Sequence, residues 1–444
     1  MSPTLTKKYG DVFCDQQTPL DLAQAHLEAS RCYYCHDAPC LEACPTEIDI
    51  PSFIRKISTG NTKGAALDIL NANIMGGTCA RACPVEVLCQ NACVRNTAED
   101  KPVEIGLLQR FATDEFFAAG EQPFKREPAT GKSVAVVGAG PAGLACAHRL
   151  ARHGHDITIF ELRSRAGGLN EYGLAPYKMT EFAQREVEFI LSVGGITLKT
   201  GQALGRDFTL DELRKRFDAV FLSMGLQTTV RLGIAGEELP FVQDAVSFIE
   251  RIRSTRDLRS ISVGRDVVVI GGGNTAIDIA IEMKRLGAEN VTLAYRRDES
   301  KMGATVVERE HARSEGVVIR TLVKPVRITE GEIEFEYTEL APDGTLIGTG
   351  KMLKLRADQI FKAIGQKFQS GVFQGSDASP VLDERTGKVR VTQNFETSIA
   401  GVFAGGDAVP GQDLTVSSVQ HGKVAAEAIQ TYLSAALSTR RSDV

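Results

Sequence analysis

Cysteine is where this 444-residue chain carries its most distinctive chemistry: nine of its ten cysteines precede residue 94. Eight of those nine form two groups, Cys32-x2-Cys35-x4-Cys40-x3-Cys44-Pro45 and Cys79-x3-Cys83-Pro84-x5-Cys89-x3-Cys93. The N-terminal run MSPTLTKKYGDVF lacks the apolar stretch of a secretory signal, so clustering of this kind favours metal ligation over disulfides. Two metal chemistries compete for such a donor set. Zinc is bound tetrahedrally by paired CxxC units. Four cysteines in a short run with a Cys-Pro step instead resemble the bacterial ferredoxin run, whose cysteine before proline serves the other of two clusters. No matching histidines accompany the groups, and His36 reads as a loop residue beside Cys35. The expectation is two [4Fe-4S] clusters held close together, with the two groups interleaved. Cys146 stands apart, inside a later helix.

A second chemistry begins at Ser133. An apolar run leads into Gly138-Ala139-Gly140-Pro141-Ala142-Gly143, then a small-residue helix, then the strand Ile157 to Phe160 ending on Glu161, 23 residues after Gly138. Strand, glycine turn, helix and acid-tipped strand form a dinucleotide-binding unit. The first glycine permits the turn, the second lets backbone approach a pyrophosphate, and the third lets helix and strand pack closely. The helix N-terminus attracts the phosphate charge, and Glu161 is placed to accept hydrogen bonds from a ribose. The pattern recurs 133 residues later as Gly271-Gly272-Gly273-Asn274-Thr275-Ala276, with Tyr295 where the first copy has Glu161, followed by Arg296 and Arg297. Arginine at this position accommodates the 2′-phosphate of NADP, so the pair leans toward NADPH. Further cofactor contacts are expected at Gly168 and Leu169 after a paired glycine, at Ala363-Ile364-Gly365, at Gly406-Asp407 on a strand tip, and at Thr415 and Val416 opening the last helix.

The elements that must position these residues follow from periodicity. Leu20 to Ala29 reads as a helix, Ile48 to Asn73 as helices with Phe53, Ile54 and Ile57 and then Ala66, Leu67 and Leu70 apolar, and Val103 to Phe117 as a helix with Ile105, Leu108, Phe111, Ala112 and Phe116 on one face. Gln109 lies off that face, which is ordinarily a solvated position. Glu121 to Lys132, with Pro123, Pro128 and Gly131, is a linker. Glu181 to Val193 is a helix, and Val317 to Arg356 alternates around Pro342-Asp343-Gly344 as a β-meander. The fold class is therefore α+β multidomain. An α-helical double [4Fe-4S] domain over 1–128 precedes two Rossmann-like dinucleotide-binding domains, the first over 129–240 and 366–444, interrupted by the second over 241–365. Net charge of -5 and a pI near 5.9 argue against a nucleic-acid or anionic-membrane surface. Hydropathy flags Val134 to Leu150 as a span, but its glycines and proline belong to the nucleotide turn, and a cytoplasmic chain is expected.

Together these residues resemble the two-dinucleotide-fold flavoprotein module shared by the small subunit of bacterial glutamate synthase and the N-terminal part of dihydropyrimidine dehydrogenase. The resemblance runs from about Leu27 to Leu433. The runs ASRCYYCHDAPCLEACPTEIDIPSFIRKI, CARACPVEVLCQNAC and IGLLQRFATD are similar to the NAD(P)H-oxidising, FAD-containing subunits of bacterial dihydropyrimidine dehydrogenases. The resemblance implies FAD on the GAGPAG turn with Glu161, NAD(P)H on the GGGNTA turn, and Gly406-Asp407 with the following helix closing over the flavin. It also implies one cluster on Cys32, Cys35, Cys40 and Cys93 and another on Cys44, Cys83, Cys89 and Gln109, leaving Cys79 free. Two stretches depart from the family pattern. Its flavin loop GIPxFRLP is here Gly173-Leu-Ala-Pro-Tyr-Lys178-Met, with Lys178 for the arginine, and its Met-Pro is Met302-Gly303. The activity implied is electron input: hydride from NAD(P)H to FAD, then single electrons through the clusters to a partner subunit. That partner, an FMN- and iron–sulfur-containing chain, would reduce uracil or thymine to the 5,6-dihydropyrimidine, with no side chain acting as nucleophile. The alternative is the glutamate synthase small subunit or a related NAD(P)H:acceptor oxidoreductase subunit.

Overall fold

A computed structural model describes residues 12–178, 182–255, 257–342 and 344–441, with side chains through 435. Expectations that touch the first eleven residues, Met179, Glu181 or Asp343 lie outside the described residues. The described chain gathers into two compact units. One comprises Gln17–Glu171 with the described parts of Thr180–Thr228 and Lys367–Val444; the other comprises the described parts of Met1–Gln16, Tyr172–Met179 and Thr229–Gln366.

In the first unit the cysteine groups ride on short helices. Asp21 opens Leu22–Ala29 through a capping box with Gln24. The stretch expected as helical over Ile48 to Asn73 is two helices, Ile50–Ser58 and Thr62–Ala72, because Gly60 turns at φ +79° and Asn61 caps the second. Ile50, Phe53, Ile54 and Ile57 are buried at helical spacing, facing a core shared with Leu108, Ala112 and Phe116 of Ile105–Ala119. Phe117 meets Phe182 and Phe189 edge-on, each with ring centroids 5.0 Å apart, and so joins the cysteine-bearing helices to the helix Phe182–Leu191.

The same unit holds a parallel five-stranded sheet ordered Val402–Ala404, Ala219–Leu222, Ser133–Val137, Asp156–Glu161, Ile196–Thr200. Pairing of Val137 with Phe160 brings Gly138 level with Glu161. The apolar stretch that hydropathy flags is split between the strand Ser133–Val137 and the helix Pro141–Arg152. Among the described residues no helix is long and apolar enough to cross a membrane.

The second unit repeats the theme with a parallel sheet ordered Val242–Asp244, Gln359–Ala363, Asp266–Gly271, Asn290–Ala294, Val318–Arg320. The expected meander therefore starts late: Val318–Arg320 joins the parallel sheet, and only Val323–Thr329, Glu332–Leu340 and Leu346–Arg356 form an antiparallel ribbon. Residues 229–240 also pack with this unit, ahead of the boundary expected at 241. Glu237 explains this, accepting from the amides of Leu232 and Gly233 and pairing with Lys362 at 3.2 Å.

Candidate cluster and dinucleotide sites

Two cavities collect the clustered cysteines. Cys32, Cys35, Cys40 and Cys93 line the first, beside Tyr33 and Arg95. Cys44, Cys79, Cys83, Cys89 and Gln109 line the second, together with Val416. The groups thus interleave: Cys44 leaves the first group for the second cavity, and Cys93 leaves the second group for the first. Cys83, also followed by proline, stays with its own group. Several of these thiols resist ionisation. Burial, reinforced by Cys32 and Cys93, pushes Cys40 up to about 12. Burial with Cys44 and Cys40 does the same to Cys89. A hydrogen bond with Cys79, then burial, holds Cys83 well above its ordinary value. Crowded buried thiols of this kind fit a cationic centre that takes them as thiolates. Among the described residues no three His, Cys, Asp or Glu side chains converge as a single-ion site requires. The donors surround cavities instead, which fits a multi-iron cluster.

Gln109 is 7% exposed, which corrects the solvated reading of its helix position. Its Nε2 donates to the Gly76 carbonyl at 2.6 Å, leaving Oε1 as the end of the amide able to ligate. Cys79 is 2% exposed and lines the same cavity, so five donors surround it. Sequence spacing had no means of detecting the residues that fix this wall. Glu186 accepts from the amides of Gly77 (2.8 Å) and Thr78 (3.1 Å) and from the Thr78 hydroxyl, capping the helix Gly76–Ala82 that carries Cys79. Burial raises its carboxyl to about 7 against the pull of these bonds and Arg81. Asn170 donates from Nδ2 to Met75 Sδ, while its Oδ1 accepts from Thr415 at 2.9 Å. It lies two residues beyond the glycine pair and ties that loop to both the cysteine-bearing helices and the last helix. The last helix runs Thr415–Arg441.

At the first glycine turn, the cradle fits a dinucleotide. Gly138 has φ +100°, and a β-carbon there would lie 2.5 Å from the Ser223 carbonyl oxygen. A β-carbon on Gly143 would lie 2.0 Å from the Gly138 oxygen, which is the close helix–strand contact the motif requires. Gly140 meets nothing nearer than Gly168 Cα at 3.9 Å, leaving the backbone open on its ligand side. Pro141, Ala142 and Gly143 form the first helical turn, with no side chain capping its amides. Glu161 accepts from Ala139 N and Arg163 N, each at 2.8 Å, which fixes the carboxylate with lone pairs to spare for hydroxyl donors. Gly168 and Leu169 follow on the loop above. Asp407 sits in the turn Gly406–Ala408, bonded by Ser418 at 3.3 Å, and burial plus nearby Asp413 raises it to about 6.

At the second turn, Gly271 has φ +151° and a β-carbon there would clash with the Ala363 carbonyl, and Ile364 and Gly365 continue from that strand. Gly272 faces the Tyr295 ring, whereas a β-carbon on Gly273 would meet nothing within 4 Å. The helix starts at Asn274 and Thr275, and Asn274 Oδ1 is buried without a partner among the described residues. An orphaned acceptor at an uncapped helix start fits a ligand that brings its own donors. Met302-Gly303 lies over this turn, with Ala304 N donating to Gly272 O at 2.9 Å. Arg296 and Arg297 are exposed. Lys178, expected near the flavin, is buried with its Nζ 2.9 Å from Asp278 and 3.0 Å from Glu308. Burial disfavours that ammonium, but the two carboxylates hold its pKa above the ordinary value. Tyr177 OH also donates to Asp278 at 2.6 Å.

Two family models match this chain: "Pyridine nucleotide-disulphide oxidoreductase" over residues 132–426 and "Dihydropyrimidine dehydrogenase domain II, 4Fe-4S cluster" over 10–121. The NAD-dependent dihydropyrimidine dehydrogenase subunit PreT of Escherichia coli K12 is 35% identical over 432 residues, 96% of this chain and 98% of that protein. The glutamate synthase [NADPH] small chain of the same organism is 33% identical, over 95% of this chain and 94% of its own. Mycobacterium tuberculosis FprA, solved in complex with NADPH, shares the fold at TM-score 0.59 and 19% identity, covering 71% of this chain and 86% of its own. With the cysteine cavities and both glycine cradles in place, this chain belongs to the pyridine nucleotide-disulphide oxidoreductase family, as an FAD- and NAD(P)-dependent oxidoreductase with an N-terminal 4Fe-4S domain.

Proposed function

We propose that this chain is the electron-input subunit of a cytoplasmic dihydropyrimidine dehydrogenase. It oxidises NAD(P)H and delivers electrons to a partner subunit, carrying FMN and iron–sulfur clusters, on which uracil or thymine is reduced to the 5,6-dihydropyrimidine. Bound FAD supplies the conversion between two-electron hydride transfer and one-electron cluster chemistry. The residues supply position. Gly138 to Gly143, Glu161, Gly168, Leu169, Gly406, Asp407, Thr415 and Val416 hold FAD; Gly271 to Thr275, Arg296, Arg297 and Ala363 to Gly365 hold the nicotinamide nucleotide. Lys178 is held by Asp278 and Glu308 and supports its own loop. Cys32, Cys35, Cys40 and Cys93 hold one [4Fe-4S] cluster, and Cys44, Cys83, Cys89 and Gln109 hold the other.

The observation that carries this reading is the second cavity, where a buried glutamine joins the cysteines and Val416 brings in the first turn of the last helix. One wall thus belongs to the cluster and to the segment following Asp407. Purified alone, the chain should reduce artificial acceptors with NAD(P)H and leave uracil untouched. Mixed with the FMN-containing partner, it should restore NAD(P)H-dependent loss of uracil absorbance. A second reading, the glutamate synthase small subunit, draws on the exposed Arg296–Arg297 pair, which suits NADPH. Glutamate formation from glutamine and 2-oxoglutarate with a large amidotransferase subunit would establish it instead.

A further inference from the structure

The helix Thr415–Arg441 does more than cover the first dinucleotide fold. Val416, Val419 and Lys423 are spaced i, i+3 and i+7, so they share one face, and Val416 on that face lines the second cysteine cavity. Two turns on, Lys423 sends its ammonium to the backbone that carries Cys44. Its Nζ donates to Thr46 O at 3.0 Å and to Ala72 O at 3.3 Å. Among the described residues it forms no ion pair with a carboxylate. Thr46 is fully buried, and its Oγ1 lies 3.4 Å from Cys44 Sγ. A thiolate on iron has no proton to give, so once Cys44 ligates, the Thr46 hydroxyl is the donor of that bond.

A partly buried cation satisfied only by carbonyls is costly unless a negative charge lies nearby. Glu47 and Glu427 act on Lys423 from beyond ion-pair distance, and on the Cys44 side three thiolates around an iron–sulfur core add a further negative charge. We propose that Lys423 is the counter-cation of the second cluster and that Thr46 bonds its Cys44 ligand. Together they set that cluster's reduction potential as residues outside the coordination shell. Hydrogen bonds to ligand sulfur and nearby positive charge both stabilise the reduced, more negative cluster. Lys423 therefore raises the potential of the cluster beside the flavin-binding segment and makes it the readier electron acceptor. This inference rests on the cluster assignment under Proposed function.

The test is an anaerobic potentiometric titration of the full chain, reconstituted with iron and sulfide and followed by electron paramagnetic resonance. The second cluster's signal is identified as the one that Cys44→Ser removes. Lys423→Gln should move that signal to lower potential and leave the other in place, and Lys423→Arg should restore it. Thr46→Val, which keeps the side-chain shape, should move the same signal in the same direction. Full iron content with an unmoved potential in Lys423→Gln overturns the inference, as does an equal shift of both signals. If Lys423→Gln fails to retain iron, an iron-replete Thr46→Val with unchanged potential overturns it. A wild-type chain that takes up no iron and sulfide fails at the earlier step, and removes the cluster assignment itself.

Discussion

Gly422 and Ala142 stand so close that a β-carbon on Gly422 would lie 2.2 Å from the Ala142 carbonyl oxygen. The last helix and the first nucleotide-binding helix therefore pack backbone to backbone, and the obstacle is a main-chain atom that has little room to give. Gly422→Ala forces them apart, an overpacking expected to cost about 1–3 kcal/mol. Because the same helix carries Thr415 and Val416, bound FAD should fall along with the apparent Tm. An alanine variant with full flavin content and an unchanged Tm would show that the contact relaxes freely.

Glu186 gives the fold a pH dependence whose sign can be worked out. Its ordinary pKa is 4.5, and burial raises it to about 7 in the folded chain. The folded state keeps a proton that the unfolded state releases, so this stabilisation is complete below pH 4.5 and lost as pH rises through 7. Glu186→Gln cannot ionise and should gain on the wild type between pH 5 and 8, by up to roughly 3 kcal/mol. Thermal unfolding of both proteins across that range checks it; parallel curves would mean the carboxyl is already ionised at pH 5.

Five donors around one cavity make the ligand set testable. The wild type should hold about eight irons, from two four-iron clusters. Gln109→Ala should lose the second cluster and leave about four, while Cys79→Ser should keep about eight. The reverse pattern would make Cys79 the fourth ligand and leave Gln109 to its bond with Gly76.

Arg296 and Arg297 are expected to face the 2′-phosphate of NADPH. Replacing both with alanine should lower kcat/KM for NADPH by roughly ten- to a hundredfold, the value of one charge-assisted hydrogen bond, with NADH nearly unaffected. A strong NADH preference that survives the double substitution would assign the pair to solvent.

Much of this protein was legible from residue order because its glycines and cysteines act through short-range geometry. Pairing of two parallel strands across a glycine turn sets which residue stands at the second strand's tip, and Gly138 with Glu161 and Gly271 with Tyr295 stand in that register. Amphipathic spacing likewise announced the buried faces of Ile50–Ser58 and Ile105–Ala119. Local pattern is blind to a polar residue whose partner is distant in the chain. Gln109 looked solvated because its helix face was judged only against its own neighbours, and Gly76 lies 33 residues away. Glu186, Asn170 and Lys423 sit on ordinary helices and loops, and their partners are 109, 95 and 377 residues off. Only packing the last helix between the nucleotide fold and the cysteine-bearing helices brings those groups to one wall. Buried polar atoms must find partners wherever the chain passes. Sequence thus determined which chemistries the chain holds, and the tertiary structure decided which side chains share each cavity.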